Sequence, residues 1–200
     1  MIYDPKKHHR RSIRLKGYDY SKPGMYYVTI VTHNHKCFFG KIENGKMILN
    51  EYGEIAQQCW TEITRRFPNI EIDEYIIMPD HIHAIIKITN PPVGTTLAVV
   101  PDKTDGAVVP DKIINNFGTY TDTNITDTKP PSLGDIVGAY KSIVSNKCLL
   151  VFKQKNQYMG KLWQRNYYEH IIKNNTRLGR IRKYIINNSV NWNNYDEFFL

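Results

Sequence analysis

The alternation of apolar and polar positions divides the chain into segments of two periods. Tyr26–Thr32 (YYVTIVT) is aromatic and β-branched and follows a Lys22-Pro23-Gly24 turn, which predicts a strand. Phe38–Gly40 and Lys46–Leu49 flank Glu43-Asn44-Gly45, where the Asn-Gly pair predicts a hairpin. From Asn50 onward the period lengthens. Tyr52, Ile55, Ala56, Cys59, Trp60, Ile63 and Phe67 keep helical spacing and Pro68 stops it, predicting a helix over 51–67 with Cys59 on its core side. Period two returns in Ile72–Met78 and His81–Ile88, joined tightly through Pro79-Asp80. Ser132 and Asp135 have capping-box spacing, and Leu133, Ile136, Val137, Tyr140, Ile143, Val144 and Cys148 form the stripe of the helix that follows. Tyr167–Ile172 predicts another strand, and Thr176 a cap for a last helix that buries Leu178, Ile181 and Ile185 and runs to about Asn188. Intermixed strands and helices with tight strand-to-strand links predict an α+β fold, a largely antiparallel central sheet flanked by helices.

Between Thr89 and Pro131 the pattern lapses into Pro, Gly, Thr and Asp, with a duplicated AVVPDK at 98–103 and 107–112. Two copies are too few for a solenoid. The expectation is one domain over residues 1–200 carrying a flexible surface insertion at 89–131. No apolar run approaches the ~18 residues of a membrane span. Met1–Lys16 lacks the apolar stretch of a secretory signal, so a cytoplasmic protein with no membrane partner is expected. Cys37, Cys59 and Cys148 are widely spaced and never in a CxxC pair, which argues against a disulfide framework or a zinc knuckle.

Charge sharpens this picture. The chain is +8 overall, yet residues 1–16 carry six bases against Asp4, and residues 141–183 carry eleven against Glu169 alone. Phe152, Tyr158, Trp163, Tyr167 and Tyr168 are interleaved with the second block. Cations for phosphates together with flat rings for unpaired bases suit single-stranded nucleic acid. A solvated basic face is the plain alternative.

Candidate chemistry concentrates in Met78–Lys87 (MPDHIHAIIK). In a strand His81 and His83 share one face, with Ile82, Ala84 and Ile86 on the other, and two imidazoles about 7 Å apart can converge on one divalent ion. His33 and His35 form a second pair, read as a loop or phosphate-contacting feature. On the last helix Tyr184 and Asn188 are spaced i, i+4 and share a face, so an amide oxygen could complete a ligand set beside a phenol. By periodicity alone such a tyrosine is more often a packed aromatic, here beside Ile181 and Ile185.

Four stretches taken together, YYVTIVTHNHKCFFG at Tyr26–Gly40, IIMPDHIHAIIKI at Ile76–Ile88, LWQRNYYEHIIKN at Leu162–Asn174 and RKYIINN at Arg182–Asn188, resemble the single-tyrosine HUH transposases. The resemblance is to the branch associated with repetitive extragenic palindromes. It implies a ferredoxin-like plan and cleavage of single-stranded DNA with Mg²⁺ or Mn²⁺ through a 5′-phosphotyrosine adduct. By the same resemblance His81, His83 and Asn188 are metal ligands and Tyr184 is the nucleophile, while Tyr167 and Tyr168 are read as packing or base-stacking residues. Ser189 stands where that family usually has proline.

The expected function is cutting and rejoining of DNA at hairpin-flanked sites. Single-stranded hairpin DNA would be the partner, contacted by Lys6, Lys7, Arg10, Arg11, Lys161, Arg165, Arg180 and Lys183, with the protein a monomer or a homodimer. The competing class is a non-catalytic hairpin-binding protein derived from such a transposase. No GxxxxGK[ST] or GxGxxG loop is present, so no nucleotide cofactor is expected. Ion binding needs neutral imidazoles, so activity is expected to fall as pH drops through about 6.5.

Overall fold

The computed structural model describes residues 14–90 and 130–192. Lys6, Lys7, Arg10, Arg11 and the duplicated hexapeptide lie outside those residues, as does nearly all of the expected insertion. Four strands, β1 (Gly24–Val31), β4 (Ile70–Ile77), β5 (His81–Ile88) and β6 (Tyr168–Ile172), form one antiparallel sheet in the order β4-β5-β1-β6. β2 (Gly40–Glu43) and β3 (Lys46–Leu49) form a separate hairpin. Its turn places Asn44 at φ 51° and Gly45 at φ 73°, the left-handed pair that the Asn-Gly signal predicts.

The two faces of the sheet are covered differently. Tyr26, Val28 and Ile30 of β1 and Ile82, Ala84, Ile86 and Ile88 of β5 are buried in one apolar core with α1 (Glu51–Arg66) and α2 (Leu133–Gln154). Trp60 of α1 stacks on Tyr140 of α2 with ring centroids 3.9 Å apart, and Tyr140 Oη donates to the Ala56 carbonyl at 2.8 Å. Lys147–Glu62 and Lys155–Glu51 ion pairs join the same two helices along their outer edge. α3 (Asn175–Ile186) covers the other face through a smaller cluster of Ile85, Ile172, Leu178, Ile181 and Ile185.

Local chemistry explains where expected bounds moved. Phe38 and Phe39 are not in the β2 ladder. Their amides donate to the Pro79 carbonyl at 2.7 and 3.0 Å and their rings are buried, so the strand starts at Gly40. The Ser132–Asp135 capping box forms as expected. The cap of α3 is Asn174 rather than Thr176, because the Asn174 side chain accepts from the Arg177 amide at 2.8 Å. α3 ends at Ile186, and Asn188 lies in the turn that follows, its amide donating to the Ile185 carbonyl at 3.2 Å. The basic block of 141–183 is also not one free surface, since Lys147, Lys155 and Arg182 are taken up in ion pairs.

Candidate nucleic-acid-processing site

Register places the histidine pair at the centre of the sheet. His83 of β5 is opposite Thr29 of β1 on one side and Ile76 of β4 on the other, and Thr29 in turn faces Tyr168 of β6. A bulge in β4 between Ile72 and Tyr75 shifts that edge strand. Asp73 at the bulge accepts from Arg182 Nε at 2.7 Å and pairs with the rest of the guanidinium. This two-point contact ties α3 to β4 two residues before Tyr184.

Alternate strand residues are ~7 Å apart, yet the His81 and His83 rings lean together to 4.5 Å between centroids. The Tyr184 ring stands 5.3 Å from that of His83, edge to face, and the Tyr27 ring 5.4 Å from it, nearly parallel. His83 is buried, with Nδ1 2.8 Å from Tyr27 Oη and 2.9 Å from Thr29 Oγ1, while its Nε2 has no hydrogen-bond partner among the described residues. Burial, and then the neighbouring His81, hold the His83 imidazole well below its ordinary value, so the ring is neutral. The Tyr27 phenol is raised by burial, opposed by a hydrogen bond from Thr29.

Asp80 supports the pair from behind. One carboxylate oxygen lies 2.6 Å from His81 Nδ1 and the other 3.0 Å from His35 Nδ1. Burial pushes this carboxyl up, but the hydrogen bonds and charges of His81 and His35 outweigh burial and hold it below its usual range. His35 belongs to a single 3-10 turn, His33–His35, in which Asn34 and His35 both adopt left-handed φ, 57° and 51°. Its Nε2 lies 3.3 Å from Gln164 Nε2.

Of the four residues expected to form the centre, His81, His83 and Tyr184 are gathered on one face. Asn188 is buried one turn beyond Tyr184. Lys161 and Arg165 are exposed beside a cleft near His33, and Arg180 and Lys183 are exposed on α3. Tyr167 is buried and accepts from Arg14 at 3.0 Å, with its phenol raised chiefly by burial, which makes it a packing residue and a poor nucleophile. Sequence reasoning missed Asp80, Tyr27, Thr29 and Trp192. Trp192 stacks 6.0 Å from the His81 ring. Helical spacing gave no signal for it, because α3 ends at Ile186 and Trp192 lies in the turns beyond. Asp80 adjoins the first histidine, and Tyr27 and Thr29 follow from period two only once β1 is known to pair with β5.

No family model matches the chain. Among solved structures, a REP-associated tyrosine transposase bound to a REP hairpin shares the fold with a TM-score of 0.51 and 14% identity, over 90% of this chain and 73% of that one. A chain described as a transposase of Deinococcus radiodurans aligns with a TM-score of 0.43 and 17% identity, over 87% of this chain and 95% of that one. In sequence, an uncharacterized protein of Haemophilus influenzae is 38% identical over 190 residues, 95% of this chain and 93% of the relative. At that identity and coverage, the chain belongs to one family with the Haemophilus influenzae protein.

Proposed function

We propose that the protein is a single-strand DNA transposase or endonuclease of the tyrosine HUH kind, cutting and rejoining hairpin-flanked DNA. The observation that carries this reading is that α3 brings the Tyr184 ring to 5.3 Å from the buried His83, whose ring is 4.5 Å from that of His81.

The donors fit a divalent ion. With hydrogen on Nδ1, His83 donates toward Thr29 or Tyr27 and keeps a bare Nε2 lone pair, which an ion would satisfy. Asp80 selects the same tautomer for His81. Among the described residues no group of three or more His, Cys, Asp or Glu could hold a metal, and the Asn188 amide is our assignment for a third donor from those residues. Bound there, Mn²⁺ or Mg²⁺ would supply Lewis-acid stabilisation of a phosphoryl group.

The chain's own residues do the rest. Tyr184 Oη attacks the scissile phosphorus, losing its proton. The 3′ oxygen leaves, takes up a proton and becomes a free hydroxyl, and the 5′ phosphate stays on the tyrosine. Attack by another 3′-OH reverses the exchange, so no external energy source is required. Asp80 and Tyr27 hold the imidazoles, and Trp192 covers His81. Exposed Arg180 and Lys183 flank the nucleophile on α3 and attract the DNA backbone.

The test uses labelled single-stranded hairpin oligonucleotides with Mn²⁺, comparing wild type with Tyr184→Phe on denaturing gels. The expected result is a covalent protein–DNA band that needs the ion and falls at least about a thousandfold in the variant. A band that persists in Tyr184→Phe would move the nucleophile elsewhere. Hairpin binding without any band would favour the non-catalytic reading.

A further inference from the structure

Beside the histidine pair lies a cleft of about 370 Å³ that the chemistry above does not use. Its walls come from two segments distant in sequence, the His33–His35 turn and the 161–168 stretch, fastened by backbone hydrogen bonds. The His33 amide donates to the Leu162 carbonyl at 2.8 Å and the Gln164 amide to the Val31 carbonyl at 2.9 Å. From behind, Lys141 Nζ donates to the carbonyls of Gln164 and Asn166 at 2.6 and 3.3 Å. Trp163 Nε1 returns a bond to the Lys141 carbonyl at 3.0 Å. Both walls are thus pinned to the sheet and to α2.

Chemically the cleft is mixed. Lys161 and Arg165 bring fixed positive charge, Tyr168 an aromatic ring, and Asn34 and Gln164 amide groups that donate and accept. Behind the wall, burial and then the charge of Lys161 bring the Lys141 ammonium down to about 8. The volume falls in the ~300–1,000 Å³ range of ligand pockets. Phosphate charge, a ring face and hydrogen-bonding edges together make up a nucleotide.

Position decides what kind. Tyr168 and His83 are in the same lateral row of the sheet, separated only by Thr29. Two strand spacings are ~10 Å, the length of roughly three stacked nucleotides at about 3.4 Å each. The cleft is also joined to the histidine pair by a polar chain, Gln164 to His35, His35 to Asp80, Asp80 to His81.

We infer that this cleft seats one unpaired nucleotide of the DNA strand, within about three positions of the scissile phosphate. Its base lies against Tyr168 with its edge toward Gln164 and Asn34, and its phosphate lies between Lys161 and Arg165. The inference rests on the nuclease reading for its substrate and adds a site that reads the strand beside the cut.

The test is a coupling experiment on the full chain. A hairpin with unpaired flanks is given an abasic site at each of the three positions on either side of the cleaved bond. Affinity is measured by fluorescence anisotropy and adduct formation by gel, for wild type and Tyr168→Ala. One abasic position should weaken wild-type binding about tenfold, and that penalty should vanish in Tyr168→Ala, as expected for loss of one stacked base. Lys161→Ala should instead weaken all the oligonucleotides alike and lower the slope of log affinity against log salt by about one. Circular dichroism of each variant checks that it is folded. Wild-type adduct with an abasic penalty of equal size in Tyr168→Ala overturns the cleft assignment and leaves the nuclease reading standing. No adduct, but a penalty that depends on Tyr168, keeps the cleft and overturns cleavage. Absence of single-strand binding overturns both.

Discussion

The two faces of the central sheet are made from the same strands and serve different ends. On the α1/α2 face Tyr26, Val28 and Ile30 of β1 and Ile82, Ala84, Ile86 and Ile88 of β5 are all buried, closed by the Trp60–Tyr140 stack. On the α3 face the apolar cluster is small and stops at the Tyr27–Ile85 pair, and the next row is polar with Thr29 and His83, the latter bonded to the Tyr27 hydroxyl. Burying such a row costs stability unless its groups are paired, and among the described residues His83 Nε2 has no partner. The first face therefore holds the fold, and the second carries a local cost that the proposed chemistry would explain. The even and odd residues of one eight-residue strand, His81–Ile88, carry the two roles.

The comparison can be broken most sharply by truncating the core. Trp60→Ala should lose about 3–5 kcal/mol in urea unfolding, whereas Tyr184→Phe, which keeps the ring packed on His83, should change stability by under about 1 kcal/mol. Equal losses would mean that α3 is as structural as α1. Asp80→Ala comes next. It should weaken Mn²⁺ binding about 10- to 100-fold by titration calorimetry, since it frees the His81 ring that Asp80 orients.

Alkali sharpens the contrast more gently. Burial holds the Tyr140 and Tyr167 phenols above their ordinary value near 10. A raised acid is neutral when folded and ionises first in the unfolded chain, so its stabilisation is complete below pH 10 and is lost as pH rises beyond it. Each such phenol adds up to ~1.4 kcal/mol of loss per pH unit. Tyr140→Phe should flatten that slope in urea titrations between pH 9.5 and about 11, after allowance for its lost bond to Ala56. The smallest effect is at the cap of α3. Asn174→Ala should cost about 1 kcal/mol, while Thr176→Ala should cost only a few tenths, which separates the observed cap from the one that spacing suggested.

Much of the frame was legible because it is local. Period-two stretches, the Asn44-Gly45 turn and the Ser132–Asp135 box each fix a backbone conformation through neighbours a few residues away. The strand His81–Ile88 and the α1 stripe appear where the pattern puts them. The errors are also local. Asn174 competed with Thr176 for the same orphan amides, and Phe38 and Phe39 left the hairpin ladder because Pro79 offered their amides a carbonyl while the core took their rings.

The site is another matter. Alternation alone set His81 and His83 on a common face, and a helical repeat set Tyr184 and Asn188 on another. Nothing in those spacings says that the two faces meet. That meeting follows from the strand order β4-β5-β1-β6, from the bulge that presents Asp73 to Arg182, and from the apolar cluster that seats α3 over β5. The same holds for Asp80 bridging His35 and His81, and for a cleft whose walls are more than a hundred residues apart in sequence. The sequence determined which side chains share a face, because backbone period is a short-range property. Only the tertiary structure decided which faces touch, because strand order and helix docking are set by burial summed over the whole chain.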